Sequence, residues 1–531
     1  MTGYLHQMPT EPLRRVEIVA ALSLATDLAI GQPAEFALRS CALAVALAEA
    51  ARLDPEAVRQ VYYQALLRYI GCNADTDTQA ALLGDEMVMR REFSLVDQGS
   101  PREVLAVVLR ALRRTNAHRA LPAAALIIAR GFVSSRATSV RILTGHCEVA
   151  QRLATRLGFD AAIAGNLGQL YERWDGRGLP NGVRGEAIAP AVRVVTLAQD
   201  AIVLVEALGR NEALATIRQR RGGAYDPALC DVLLASADSL FDRSQQVVAW
   251  DAALALEPRP HYFLSEHELD DACLVVADFV DIRWPERLGH SRAVSMLTEG
   301  AVRHLGWPAS DVTDARRAGL LHDLGEMTVP VSTWAKQGSL SDRERDAIRL
   351  HPHHTERILS RSSGEVLRRL AMVSGQHHER VDGSGYFRGL RGPSQHPVAR
   401  VLAAAEVYQT KLEPRPHRPA LSPDGAAAEL KRLVREGALD AESVSAVLSV
   451  AGHRVAPVRR ESTAGLTARE IEVLRQIAAG RSAREIARVL GMSVRTAGNH
   501  TQHIYEKIMV STRAAAALFA VERGLLTPAE R

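Results

Sequence analysis

The feature that most constrains this chain is a repeat. YERWDGRGLPNGVRG (Tyr171 to Gly185) lines up with HERVDGSGYFRGLRG (His378 to Gly392), and Arg193-Val194 then fall opposite Arg400-Val401 without a gap. LLRYIG (Leu66 to Gly71) likewise echoes LLHDLG (Leu320 to Gly325). A glycine-rich loop repeated at this length predicts one supersecondary unit used twice. The copies differ in one direction. His322 is matched by Arg68, Asp323 by Tyr69, His378 by Tyr171 and Glu406 by Gln199, so the glycines persist while imidazoles and acids disappear from the first half.

The unit is helical. From Val16 to about Asp251 apolar residues recur at helical spacing, as in Arg39 to Leu53 and Val58 to Gly71, and Asp54-Pro55 supplies a cap and a first-turn proline. Ala, Leu and Arg dominate while aromatics make up only 5%, which favours helices over sandwiches or barrels. Helical spacing continues through Asp270 to Asp281, His290 to Leu305, Asp311 to Leu324 and Ala399 onward. The expected fold is all-α: two related helical domains in tandem, 1–255 and 261–455, a polar linker at 456–465, and a small module at 466–531. A length of 531 residues suits three or four domains. Five scattered cysteines without a CxxC pair predict buried free thiols in a reducing compartment. No run approaches the ~18 apolar residues of a membrane span, so a cytoplasmic chain is expected. A net charge of +4 does not by itself imply nucleic acid.

Of 18 histidines, 13 fall between His261 and His453. Glu286 and His290 are four apart and on a helix would share a face. His322 and Asp323 are adjacent near a helix end, where two side chains can reach one metal or bridge two. His351, His377-His378 and Glu406 add further nitrogen and oxygen donors. This mixture suits Fe, Mn or Zn rather than Ca or Mg. Eight donors exceed the four of a structural zinc site, which points to two or three divalent ions able to activate water against a phosphodiester. His353-His354, His396, His417 and His453 are read as ordinary surface or packing residues.

LLHDLG, RLHPHHTERIL and HHERVDGSGYF resemble the HD-GYP phosphodiesterases, an all-helical branch of the HD metal-dependent phosphohydrolases that cleave cyclic di-GMP. The match spans roughly Glu266 to Leu421. The resemblance implies that Glu286, His290, His322, Asp323, His351, His377, His378 and Glu406 hold the metals, with His322 and Asp323 at the catalytic heart. It places Asp382, Gly383, Gly385, Tyr386 and Arg388 in the substrate loop and implies a cyclic dinucleotide ligand. Three departures stand out: Glu326 replaces the family's lysine after HDxG, Phe387 replaces the GYP proline, and Glu406 replaces an aspartate. An anion at Glu326 opposes a dianionic substrate, so turnover by this half is in question, and Glu326→Lys is expected to raise it. A catalytically dead scaffold is the alternative.

The terminal module reads as a helix-turn-helix. Thr467 with Glu470 forms a capping box, and Ser493 is placed to cap a second helix beyond Gly491-Met492. On that helix Val494, Ala497, Ile504 and Ile508 are expected to face the core. Ser493, Arg495, Thr496, Asn499, His500, Gln502 and Lys507 are expected to face double-stranded DNA, with Arg495 and Lys507 on phosphates. LTAREIEVL, ARVLGMSVRTAGNHTQHIYEKI and STRAAAALFAVERGLL are similar to LuxR-type DNA-binding domains, which implies a four-helix module and a homodimer through the last helix. The expected protein is a transcription regulator that senses or hydrolyses a cyclic dinucleotide.

Overall fold

Capping chemistry decides where the helices begin. Asp54 accepts from the Ala57 amide at 2.9 Å to open the helix Pro55–Leu67. Ser265, Ser341, Thr467 and Ser482 each form a full capping box, which satisfies amides that the first turn would leave without partners. The structure, a computed structural model, describes residues 12–73, 76, 86–97, 99–115, 121–246, 250–416, 418–454, 466–510, 512–522 and 525. The expected linker at 456–465 and His417 lie outside them.

The architecture is all-α, as the apolar spacing requires: among the described residues only isolated β-bridges accompany the helices. No described helix is long and apolar enough to cross a membrane. All five cysteines are free and buried. The chain divides into two units, Met1–His453 and Arg454–Arg531.

In the larger unit, the first half is built on α1 (Arg15–Ala29), α2 (Phe36–Ala50), α3 (Pro55–Leu67), α4 (Leu121–Arg156) and α5 (Pro190–Leu208). The second half uses α6 (Glu266–Asp281), α7 (His290–His304), α8 (Ala309–Leu321), α9 (His351–Leu359), α10 (Glu365–Ser374) and α11 (Pro397–Leu412). Helices α2 and α11 are buried nearly all round, which marks them as the centres of their halves. The halves share contacts as well as sequence. Helix α1 packs on the short 3-10 turn Leu324–Thr328 that follows Asp323. Buried Glu17 accepts from Ser362, and Arg361 pairs with Glu35 at 2.8 Å.

The repeat is also geometric. A Cβ on Gly71 would lie 1.9 Å from the His146 carbonyl oxygen, and one on Gly325 would lie 2.0 Å from that of His351. Only glycine allows either approach. Glu172 accepts from the Asn181 amide at 2.8 Å, and Glu379 accepts from Arg388 and Leu390 at 2.8 and 2.7 Å, so one carboxylate ties each glycine loop.

The smaller unit packs α12 (Ala468–Ala478), α13 (Ala483–Val489), α14 (Val494–Lys507) and α15 (Arg513–Glu522) around Leu466, Val473, Leu474, Ile486, Ala497 and Ile504.

Candidate metal centre and nucleic-acid interface

Four helix ends and one helix interior carry the centre. His290 opens α7, His322 and Asp323 follow α8, His351 opens α9, His377-His378 follow α10, and Glu406 lies within α11. Elements separated by many residues thus deliver donors to one buried point. Asp323 is its hub. Its Oδ2 lies 3.5 Å from His290 Nε2 and 3.2 Å from His322 Nε2, while its Oδ1 lies 3.4 Å from both His351 Nε2 and His377 Nε2. Glu406 Oε2 closes the first side at 3.0 Å from His290 and 3.3 Å from His322.

The imidazoles are held by their far nitrogens. His322, His351 and His377 donate Nδ1–H to the carbonyls of Gly319, Ile348 and Ser374 at 2.8, 2.6 and 2.6 Å. A carbonyl only accepts, so each Nδ1 carries a proton, and each ring in its neutral form presents its Nε2 lone pair inward. His351 Nε2 and His377 Nε2 then face each other at 2.9 Å, two lone pairs that require a cation between them or a proton on one. His290 Nδ1 is held instead by the Glu413 carboxylate at 2.8 Å, and Thr410 donates to Glu406 Oε1 at 2.6 Å. The buried atoms His290 Nε2, His322 Nε2, Asp323 Oδ1 and Glu406 Oε2 have no aligned hydrogen-bond partner, despite their short separations. Such a nitrogen–oxygen set fits a divalent transition metal. Three groups of donors lie within 4.8 Å of one another: His290–His322–Asp323–Glu406, His351–His377–His378, and Asp323–Glu326–His351.

Burial opposes charge throughout the centre, and the carboxylates overcome it on one side. Asp323 and Glu406 hold His322 up at about 10, and Glu406 and Asp323 also raise His290. Both carboxylates stay well below the usual range despite burial, because His322 and Arg287 face Asp323 and His290 faces Glu406. On the other side, burial and neighbouring imidazoles push His377 and His378 down.

Seven of the eight expected ligands come together. Glu286 does not: it is exposed on the 3-10 turn Pro285–Arg287, and Gly289 at φ +83° separates that turn from α7, so Glu286 and His290 share no helical face. Arg287 turns inward in its place, to Asp323 and to both oxygens of Glu326. Glu326 is therefore a paired charge rather than a bare anion. A lysine there would meet Arg287, which reverses the gain expected of Glu326→Lys. Spacing gave no sign of Arg287 or Glu413, because neither lies on a patterned stretch with its partner.

In the loop, Tyr386 stacks on His378 with ring centroids 4.7 Å apart, and the Arg349 guanidinium lies over the Tyr386 ring at 5.3 Å. The remaining expected loop residues build the scaffold. Asp382 accepts from the Ser384 amide at 2.9 Å, and Gly383 takes φ +83°. Gly385 packs where a Cβ would lie 2.3 Å from the Arg380 nitrogen. Arg388 turns to Glu356 at 2.7 Å.

The first half keeps the frame and changes the contents. Arg68 donates to Thr196 Oγ1 at 2.6 Å, and Tyr171 lies 3.1 Å from His146 Nδ1 and 3.3 Å from Cys72 Sγ. Gln199 donates to the Ala65 carbonyl at 3.4 Å. His146, at the place of His351, is one imidazole that survives and that the aligned motifs did not reveal.

In the smaller unit, Ser493 caps α14 by accepting from the Thr496 amide at 3.0 Å, and the two hydroxyls are 2.7 Å apart. Arg495, Thr496, Asn499 and Gln502 are exposed on α14 and His500 is half-buried. Gln502 also reaches Glu506 at 2.9 Å. Ala497, Ile504 and Ile508 face the core as expected, but Val494 is 49% exposed. Lys507 is not free for a phosphate: its Nζ bonds buried Glu470 at 2.7 and 2.9 Å.

Comparison with known proteins agrees with this geometry. The HD-domain family matches residues 114–229 and 274–442, more than half of the chain, and the luxR family of bacterial regulatory proteins matches 464–520. A 3'3'-cGAMP-specific phosphodiesterase 3 of Vibrio cholerae is 28% identical over 445 residues, covering 81% of this chain and 93% of that protein. A cyclic di-GMP phosphodiesterase response regulator of Xanthomonas campestris is 34% identical over 145 residues, 27% of this chain and 37% of its own length. A crystal structure of a cyclic GMP-AMP-specific phosphodiesterase of V. cholerae shares the fold, with a TM-score of 0.58 and 24% identity over 84% of this chain and 99% of that one. The protein belongs to the HD-domain family, with that domain matched in both halves of its larger unit and a luxR-family module at its C-terminal end.

Proposed function

We propose that this protein is a transcription regulator whose second HD copy is a metal-dependent phosphodiesterase acting on a 3'3'-linked cyclic dinucleotide. The proposed domains are a metal-free HD-GYP-like copy at 1–255, a metal-binding copy at 261–455, a linker at 456–465 and a LuxR-type DNA-binding domain at 466–531. The observation that carries the reading is Asp323, one carboxylate facing two imidazoles on each of its oxygens.

His290, His322, Asp323, His351, His377, His378 and Glu406 are the proposed ligands, for iron, manganese or zinc. Metal held there supplies Lewis acidity and a water nucleophile for attack on a phosphodiester. The chain's own groups prepare the site. The Nδ1 bonds aim the imidazoles, Glu413 aligns His290, and Tyr386 with Arg349 borders the imidazole side of the centre with a flat, cationic surface suited to a base or phosphate. 3'3'-cGAMP stands ahead of cyclic di-GMP as substrate, because the relative matched across both halves is named for it.

Arg495, Thr496, Asn499, His500 and Gln502 are the proposed DNA-facing residues, in a homodimer formed through α15. Incubation of metal-loaded protein with 3'3'-cGAMP and with cyclic di-GMP tests the enzymatic reading, and the expected product is the linear dinucleotide. Hydrolysis of neither by protein that carries metal would make the half a dead scaffold. DNA binding should weaken with salt at a log–log slope of about −0.9 per phosphate neutralised. An affinity indifferent to salt contradicts the DNA assignment.

A further inference from the structure

The turn before α7 carries two adjacent side chains of opposite sign, and they part company. Glu286 is exposed, whereas Arg287 is 5% exposed and points into the centre. Its Nη2 bonds Asp323 Oδ2 and its Nη1 bonds both oxygens of Glu326. Asp323 and Glu326, together with His351, form one of the three donor groups compact enough for a cation. That group therefore already faces one, covalently tethered and never deprotonated.

We infer that Arg287 is a built-in cation that fills the Asp323–Glu326–His351 group, so the centre takes two divalent ions and not three. The inference rests on reading the cluster as a metal centre. Several contacts support it. Arg283 donates to the carbonyls of Glu326 and Met327 at 3.2 and 2.9 Å, which pins the turn that presents Glu326. Helix α1 packs behind the same turn. With Glu326 fixed, a half-buried carboxylate stands beside the buried Asp323, and a planar guanidinium can bond both through its separate nitrogens. A dication entering this group would lie beside the guanidinium without water between them and would be repelled. Arg287 shares Asp323 Oδ2 with the group of His290, His322 and Glu406, where Glu406 Oε2 supplies a second carboxylate oxygen 3.0 and 3.3 Å from the two imidazoles, while Asp323 Oδ1 faces His351 and His377.

The test is metal stoichiometry on the full-length chain, saturated with Mn²⁺, freed of unbound metal and measured by elemental mass spectrometry, with circular dichroism as the check on folding. Wild type is expected to hold two equivalents. Arg287→Gln is expected to gain a third, and Arg287→Gln with Glu326→Gln to lose it again. Arg287→Lys, which keeps the charge, is expected to stay at two. Three equivalents in wild type, or two in folded Arg287→Gln, overturn the inference and leave the metal centre standing. No bound metal in wild type overturns the metal-centre reading itself and this inference with it. If Arg287→Gln fails to fold, the wild-type and Arg287→Lys counts still decide, since either at three contradicts a tethered cation.

Discussion

The two halves of the larger unit share a frame and bury different charges. Gly71 and Gly325 press against the carbonyls of His146 and His351, and Glu172 and Glu379 each clamp a glycine loop. Inside that frame the second half collects imidazoles and carboxylates around Asp323. The first half puts Arg68 and Tyr69 there, with Tyr171 bonded to His146 and Cys72. Burial opposes the charge of Arg68, yet Tyr69 and Asp200 keep it protonated. An attached cation and phenol hydroxyls thus replace what metal and carboxylates would do. One frame accommodates two chemically different centres, set apart by a few substitutions. Arg287 carries the same device part-way into the second half.

The comparison can be broken most directly at its hub. Asp323→Ala removes the carboxylate common to both sides, and turnover should fall on the order of 10³-fold, as when a principal electrostatic stabiliser is lost. Tyr69→Phe at the matching place should leave metal content and turnover unchanged, and a comparable loss there would end the assignment of distinct roles.

Next comes the ion pair. Glu326→Lys sets two cations together in a buried site and should cost about 3–5 kcal/mol of stability, read as a lower Tm. Arg287→Glu with Glu326→Lys should recover part of it. A Tm for Glu326→Lys at or above wild type would show that Arg287 does not depend on Glu326.

Glu413→Gln removes the carboxylate behind His290 and should weaken metal affinity about 10- to 100-fold, with folding preserved. Unchanged affinity in equilibrium titrations would demote Glu413 to packing.

The smallest effect concerns protons. His322, held up at about 10 by Asp323 and Glu406, is charged at pH 7 in the metal-free centre, and Glu406 and Asp323 shift His290 in the same direction. Each must lose a proton to coordinate, so metal uptake releases protons and affinity climbs with pH, about tenfold per unit for each proton displaced. Calorimetry in buffers of different ionisation enthalpy reads this directly, and uptake without proton release contradicts it.

Much of this was legible beforehand where the signal is local. Asp54, Thr467 and Ser493 announce helix starts because a cap and its amide lie within three residues. The HD and HH pairs announce donors for the same reason. Glu286 misled because four-residue spacing assumes an unbroken helix, and Gly289 breaks it. Lys507 looked like a phosphate contact because a lysine on a recognition helix usually is one, whereas Glu470, 37 residues earlier, holds it.

The amino-acid order by itself determined the all-helical repeat, the metal-ligating residue types and the terminal reading helix, since each depends on spacing within one turn, loop or helix. Only the tertiary structure decided that Arg287 faces inward, that Glu413 stands behind His290 from 123 residues away, and that His146 takes the place of His351. Those outcomes depend on how separate helices pack, and contact between distant segments leaves no periodicity along the chain.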